Sequence, residues 1–289
     1  MLKFRQKKNP KTRITMKNII TINNLNADEI AIYVRLTGAQ LRAAKEAEDG
    51  IFIAESPTVI DVALRSGCKP ISLLTDERLL ASDAVKSIID MLPDIPIYTA
   101  NRDVLTKITG FELTRGALCA MHRPKFAPLA ELCKDAKRIA ILENVCDATN
   151  LGAIIRSAAA LGMDAVLLSP ACCDPYCRRA VRVSMGTVFQ VPTTRIEDAD
   201  AWPKKSIDEL HALGFKCAAL ALRTDSVNIT DNSLLNEEKI ALILGTEGTG
   251  LAKETIDLCD YTVCIPMAHG VDSLNVGAAA AIAFFEVCK

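Results

Sequence analysis

The stretch Ile265-Pro-Met-Ala-His-Gly-Val-Asp-Ser-Leu-Asn-Val-Gly277 decides how the rest of the chain is read. It starts as a short apolar strand, breaks at Pro266, crosses a loop containing Gly270 and restarts as a helix whose expected N-cap is Ser273. Small side chains, Gly277, Ala278, Ala279, Ala280 and Ala281, make up that helix before Phe284 and Phe285. Such residues suit a helix that another backbone passes closely. Packing alone does not call for Ser273 and Asn275 at the junction of loop and helix, so the junction is the first candidate for a site.

Working outward, the second half of the chain alternates regularly. Strands are expected over 138–142, 165–169, 189–191, 216–221 and 240–244, with helices over 151–161, 174–185 and 206–213. Apolar strands separated by helices predict an α/β fold with a mostly parallel sheet covered by helices on both faces. In such sheets ligands bind beyond the carboxyl ends of the strands.

The first half alternates less regularly. A helix is expected over 28–47, ended near Gly50, then a strand over 51–54 and a helix opened by Glu55-Ser-Pro57 that stops near Gly67. A strand over 70–74, a helix over 81–91, a strand over 95–99, a helix over 101–108 and a strand over 116–121 complete a small α/β unit. From 122 to 136 the pattern loosens around Pro124 and Pro128, which marks a boundary. The expected division is a basic, flexible tail 1–17, a first domain 18–123, a linker 124–136 and a second domain 137–289.

A net charge of -1 on 289 residues gives no global argument for nucleic acid. Lys3, Arg5, Lys7, Lys8, Lys11, Arg13 and Lys17 nevertheless fall in a tail with no acidic residue before Asp28. Two readings stay open for it, a solvated tail and an RNA-contacting arm. Arg178, Arg179 and Arg182 form a second basic cluster, read either as a phosphate contact or as a solvated helix face. No apolar run of signal-peptide or membrane-spanning kind follows the tail, which points to the cytoplasm. The eleven cysteines are odd in number in a large chain, so reduced thiols are expected. Cys172, Cys173 and Cys177 cluster, but no second Cys/His pair completes a tetrahedral zinc site, and no metal is expected.

Three polar loops carry the candidate chemistry. The first, Glu143-Asn-Val-Cys-Asp-Ala-Thr-Asn150-Leu-Gly152, runs into a helix bearing Arg156 among alanines and isoleucines. Asn150 is read there as a helix cap or a simple turn residue. A guanidinium buried among those apolar neighbours would need an anion. The second, Gly245-Thr-Glu-Gly248-Thr-Gly250-Leu251, follows the buried strand over 240–244; it is a tight turn or a loop whose amides approach a ligand, and Glu247 adds an acceptor. Its glycine order is not that of a dinucleotide or nucleoside triphosphate loop. The third is the stretch quoted first.

Asn150-Leu-Gly-Ala-Ile-Ile-Arg156, Leu244-Gly-Thr-Glu-Gly-Thr-Gly-Leu251, and Ile265-Pro-Met with Ser273-Leu-Asn-Val276 together resemble the three motifs of the SpoU (TrmH-like) branch of the SPOUT RNA methyltransferases. Arg182-Val-Ser-Met-Gly186 resembles a further element of that family. Ala148 departs from it, standing where proline is common. The first half resembles more weakly a substrate-binding domain similar to ribosomal protein L30e, best at Phe52-Ile-Ala-Glu55.

The resemblance implies S-adenosylmethionine as methyl donor, no metal, and a ribose 2'-hydroxyl of structured RNA, ribosomal more than transfer RNA, as acceptor. It also implies a homodimer and a C-terminal trefoil knot, which periodicity cannot reveal. Carried onto matching positions, Leu244, Gly245, Thr246, Gly248, Gly250, Ile265, Met267, Leu274 and Val276 would hold the cofactor. Arg156, Glu247, Ser273, Asn275 and Asn150 would serve the chemistry. A guanidinium with a pKa above about 12 is a poor base, so Arg156 is expected to bind phosphate and steady a developing alkoxide. The competing expectation is an RNA-binding or assembly protein that kept the fold and lost catalysis.

Overall fold

The computed structural model describes residues 18–24, 27–34, 38–42, 50–102, 104–105, 116–246 and 248–289. Among these the strands form a five-stranded and a seven-stranded sheet. The smaller contains β1 (Ile19–Thr21), β2 (Ile51–Glu55), β3 (Pro70–Asp76), β4 (Ile97–Ala100) and β5 (Ala117–His122) in the order β1-β4-β3-β5-β2. It is mixed, because β5 runs antiparallel to both β2 and β3.

The larger sheet contains β6 (Arg138–Leu142), β7 (Ala165–Leu168), β8 (Thr193–Arg195), β9 (Lys216–Leu220), β10 (Val227–Asn228), β11 (Ile240–Leu244) and β12 (Tyr261–Cys264). Its order is β10-β12-β9-β11-β6-β7-β8, and every pairing is parallel. Two apolar layers cover it. Helix Ala148–Leu161 and the C-terminal helix Val276–Val287 lie in one, and Ile207, Leu210 and Phe215 lie in the other. Burial on both faces explains why β6 and β11 are nearly uninterrupted Ile, Leu and Ala.

Two helix caps differ from expectation. Helix Ala148–Leu161 starts earlier than 151, because Asp147 Oδ1 accepts from the Thr149 and Asn150 N–H groups at 2.8 and 2.9 Å. Asn150 is therefore inside the helix and does not cap it. The C-terminal helix is capped by Asn275, whose Oδ1 accepts from Gly277 N at 3.0 Å and Ala278 N at 3.3 Å. Ser273 stands two residues too early for that role, and its hydroxyl donates to Asp272 Oδ1 instead.

The strand expected over 189–191 is a 3-10 turn, Thr187–Phe189, and β8 begins only after Pro192. Phe189 is apolar there because its ring meets Phe52 at 4.8 Å and stacks on Tyr176 at 5.9 Å. The helix expected over 174–185 shrinks to Arg178–Val183, since Asp174 turns the chain by accepting from Tyr176 N. In the helix expected over 28–47, the described residues form Asp28–Ile30, Ala31–Val34 and Gly38–Arg42, and 43–49 lie outside the described residues. The tail 1–17 and most of 103–115 lie outside them too. Residues 124–136 hold a short helix, Leu129–Cys133, whose Cys133 is buried against the larger sheet.

The two sheets meet across an aromatic and ionic contact. Phe52, Phe126, Tyr176 and Phe189 cluster there. Arg123 grips Asp174 with two bonds of 2.8 Å, and Glu55 accepts from Arg178 at 3.0 Å with Arg182 3.7 Å away. The basic cluster is thus tied in part to the first half, because Glu55 engages Arg178 and Arg182, while Arg179 is exposed and donates to Thr149 Oγ1.

Candidate functional site

Because β9, β11, β6 and β12 are parallel neighbours, the loops leaving their carboxyl ends fall on one edge of the sheet. Three of those loops enclose a cavity of about 820 Å³. The loop after β11 folds back on itself, with Gly250 N donating to Thr246 O at 3.1 Å. Gly248 and Gly250 take positive φ, 93° and 66°, which a side chain would resist. Gly245 is needed for a different reason. A Cβ added there would lie 2.4 Å from the Gly250 carbonyl carbon, so two stretches of backbone touch at that point.

All nine residues expected at the cofactor line this cavity: Leu244, Gly245, Thr246, Gly248, Gly250, Ile265, Met267, Leu274 and Val276. Ser273 and Asn275 line it as well. Asn150, in the first turn of helix Ala148–Leu161, does not line the cavity but accepts from Asn275 Nδ2 at 3.0 Å. Glu247 lies outside the described residues.

Arg156 corrects an expectation. Its side chain is exposed, not buried, and among the described residues it makes no ion pair. Leu151, Ile154, Ile155 and Ala158 take the inner stripe of the 3.6-residue repeat, and position 156 falls outside it. Arg156 does not line the cavity of its own chain.

Two features were not anticipated. The segment 220–223 after β9 forms a wall of the cavity, which the strand adjacency explains. Glu143, at the end of β6, is 1% exposed. Its carboxylate accepts from Trp202 Nε1 at 2.8 Å, from Ala252 N at 2.7 Å and from the Thr255 hydroxyl. It therefore anchors the segment that closes the glycine loop. The available signal was an acid directly following four buried apolar residues.

A parallel α/β sheet with a cleft of ligand size at its strand ends defines a small-molecule-binding domain of the kind that α/β enzymes use. Residues 137–285 match the SpoU rRNA Methylase family, and the chain belongs to it, a family of RNA methyltransferases. An uncharacterized tRNA/rRNA methyltransferase of Mycobacterium bovis is 38% identical over 239 residues, covering 82% of this chain and 80% of that one. The 23S rRNA (guanosine(2553)-2'-O)-methyltransferase RlmP of Bacillus subtilis is 28% identical over 82% of this chain and 88% of its own. The solved structure of an AdoMet-bound rRNA methyltransferase from Sinorhizobium meliloti superposes with a TM-score of 0.79. It is 25% identical, covering 93% of this chain and 97% of that one.

Proposed function

We propose that the chain methylates a ribose 2'-hydroxyl of structured RNA, ribosomal rather than transfer RNA, with S-adenosylmethionine as donor and no metal. The observation that carries this reading is the single cavity lined by all nine residues expected at the cofactor. Its chemistry suits that ligand. Leu244, Ile265, Met267, Leu274 and Val276 give apolar walls, and the close backbone approach at Gly245 leaves main-chain groups to meet an adenosine. About 820 Å³ lies within the usual ligand-pocket range of roughly 300–1,000 Å³. The Bacillus subtilis relative, by its name a 2'-O-methyltransferase of 23S rRNA, supports the acceptor.

When bound, the donor supplies an electrophilic methyl group on a sulfonium. The chain's part is to align the acceptor oxygen, which is worth roughly 7–11 kcal/mol in well-oriented reactions. Ser273 and Asn275 sit on the cavity wall, where they orient the ribose, with Asn150 fixing Asn275. Glu247 adds an acceptor from the glycine loop. The exposed guanidinium of Arg156 is available to an RNA phosphate and to the developing alkoxide.

We further propose a homodimer through the catalytic domain, since Ile282 and Phe285 of the C-terminal helix are 40% and 54% exposed and give a second copy an apolar face. The division into an RNA-binding domain 18–123 resembling ribosomal protein L30e, a linker 124–136 and a catalytic domain 137–289 is supported by the two separate sheets. The basic tail would add phosphate contacts. A trefoil knot at the C-terminus accords with the close seat of Gly277, where an added Cβ would come 3.4 Å from Ala153 Cβ. The cytoplasm suits an RNA substrate, and among the described residues no helix is long and apolar enough to cross a membrane. Calorimetry with S-adenosylhomocysteine tests the reading: saturable binding supports it, and no heat removes it.

A further inference from the structure

Eleven cysteines were left without a role, and two of them are placed unlike the others. Cys173 and Cys177 stand four residues apart, with their Sγ atoms 3.8 Å from each other. A bent segment makes that approach. Cys177 N donates to Asp174 O at 3.1 Å, and Asp174 Oδ1 accepts from Tyr176 N at 3.1 Å. The segment is pinned from outside as well. Cys173 N donates to Val145 O at 2.9 Å, and Arg195 donates to the Cys172 and Cys173 carbonyls at 2.9 and 2.7 Å. Cys172 takes no part, since its thiol turns inward to Leu142 O at 3.0 Å.

Both thiols of the pair are half-buried rather than sealed, so a small reagent has access. Their environments differ. The Cys173 thiol donates to Cys177, and the Ala180 and Arg179 N–H groups add to it, so that against burial the Cys177 thiol is pulled down to about 6. Cys173, which supplies that hydrogen, is pushed up. Burial raises Cys68 and Cys133 to about 11. Two thiols in contact, one drawn toward the thiolate and the other away from it, make the arrangement of an attacking and a resolving cysteine.

We propose that Cys173 and Cys177 form a redox-active dithiol that closes a reversible disulfide on meeting a low-molecular-weight disulfide. The Cys177 thiolate attacks one sulfur of that reagent, whose S–S bond breaks and whose other half leaves as a thiolate. Cys173 then loses its proton to solvent and attacks the Cys177 sulfur of the mixed disulfide, expelling the second half. Two cysteine thiols are oxidised to one disulfide and the reagent is reduced to two thiols, so electrons balance. The sulfurs must close from 3.8 Å to about 2.0 Å, a movement of about 1.8 Å.

The ring so closed contains Asp174, whose carboxylate holds Arg123 and Arg42 of the first sheet's layer. Arg178, next to Cys177, holds Glu55. The dithiol therefore sits on the contact between the two halves of the chain and away from the cavity. It stands independently of the methyl-transfer proposal.

The full chain, reduced and then treated with oxidised glutathione at pH 7, tests it by peptide mapping. The expected result is a loss of two hydrogens on the peptide spanning Cys172 to Cys177, restored by dithiothreitol. It persists in Cys172→Ser, disappears in Cys177→Ser, and stops in Cys173→Ser as glutathione held on Cys177. Circular dichroism confirms that each variant is folded. A peptide that stays reduced, a wild-type chain that keeps glutathione on Cys177, or a disulfide that depends on Cys172 overturns the proposal.

Discussion

Asn275 has two separable jobs, and a double-mutant cycle with Asn150 takes them apart. Its Oδ1 caps the C-terminal helix through Gly277 and Ala278, and its Nδ2 donates to Asn150 Oδ1 at 3.0 Å. Replacing an N-cap by alanine costs about 1 kcal/mol. Losing one partly exposed amide–amide hydrogen bond costs about 0.5–1 kcal/mol. Asn275→Ala should therefore lose about 1.5–2 kcal/mol. Asn150→Ala should lose only about 0.5–1 kcal/mol, because Asp147 and not Asn150 caps its helix. In the double variant the tie can be lost only once, which predicts a coupling of about 0.5–1 kcal/mol. Urea unfolding of the four chains, followed by far-ultraviolet circular dichroism, measures each term. Both single variants should also weaken S-adenosylhomocysteine, since Asn275 lines the cavity. Strict additivity, or an Asn150→Ala cost equal to that of Asn275→Ala, would refute the assignment of cap and tie.

Three other outcomes follow from the same geometry. Gly245→Ala puts a methyl 2.4 Å from the Gly250 backbone, so calorimetry should show S-adenosylhomocysteine binding weakened by at least about tenfold, or 1.4 kcal/mol, in a chain with unchanged circular dichroism. Glu143→Ala strands the Trp202 N–H, the Ala252 N–H and the Thr255 hydroxyl. A loss of about 3 kcal/mol is expected, with a shift in the emission of Trp202, the chain's single tryptophan; an unshifted spectrum would contradict it. For Asp174, burial alone would raise the carboxyl, but the bonds and charge of Arg123 hold it below the ordinary range. A lowered folded value means that its stabilisation is complete above an unfolded value of about 3.9 and is lost as pH falls through the folded one. Asp174→Asn should therefore be less stable than wild type at pH 7 and converge with it as pH falls through the lowered folded value. A constant difference across that window would count against the ion pair.

Much of the fold was legible because β6, β7, β9 and β11 are short apolar runs between helices, a pattern that only a doubly covered parallel sheet makes economical. The cleft was legible for a related reason: polar and glycine residues directly follow those runs. What escaped had physical causes too. Asn275 and Ser273 are both good caps two residues apart, and only the backbone decides between them. The alanines around Arg156 hide which face is outward, since alanine is tolerated on either side; hence its exposure went unread. Phe189 looked like strand because its partners, Phe52 and Tyr176, come from distant parts of the chain. The antiparallel direction of β5 left no local mark, and the Cys173–Cys177 approach depends on a turn that spacing alone does not specify.

The central claim is methyl transfer to ribose, with Arg156 acting on the RNA and not on the cofactor. The most direct measurement is incubation with S-adenosylmethionine labelled in its methyl group and separated RNA fractions, followed by nuclease digestion to locate the label. The account predicts label on a ribose 2'-oxygen of ribosomal RNA with wild type, and none with Arg156→Ala, which still binds S-adenosylhomocysteine with unchanged affinity. Label on a base, on transfer RNA alone, or undiminished transfer by Arg156→Ala would contradict it.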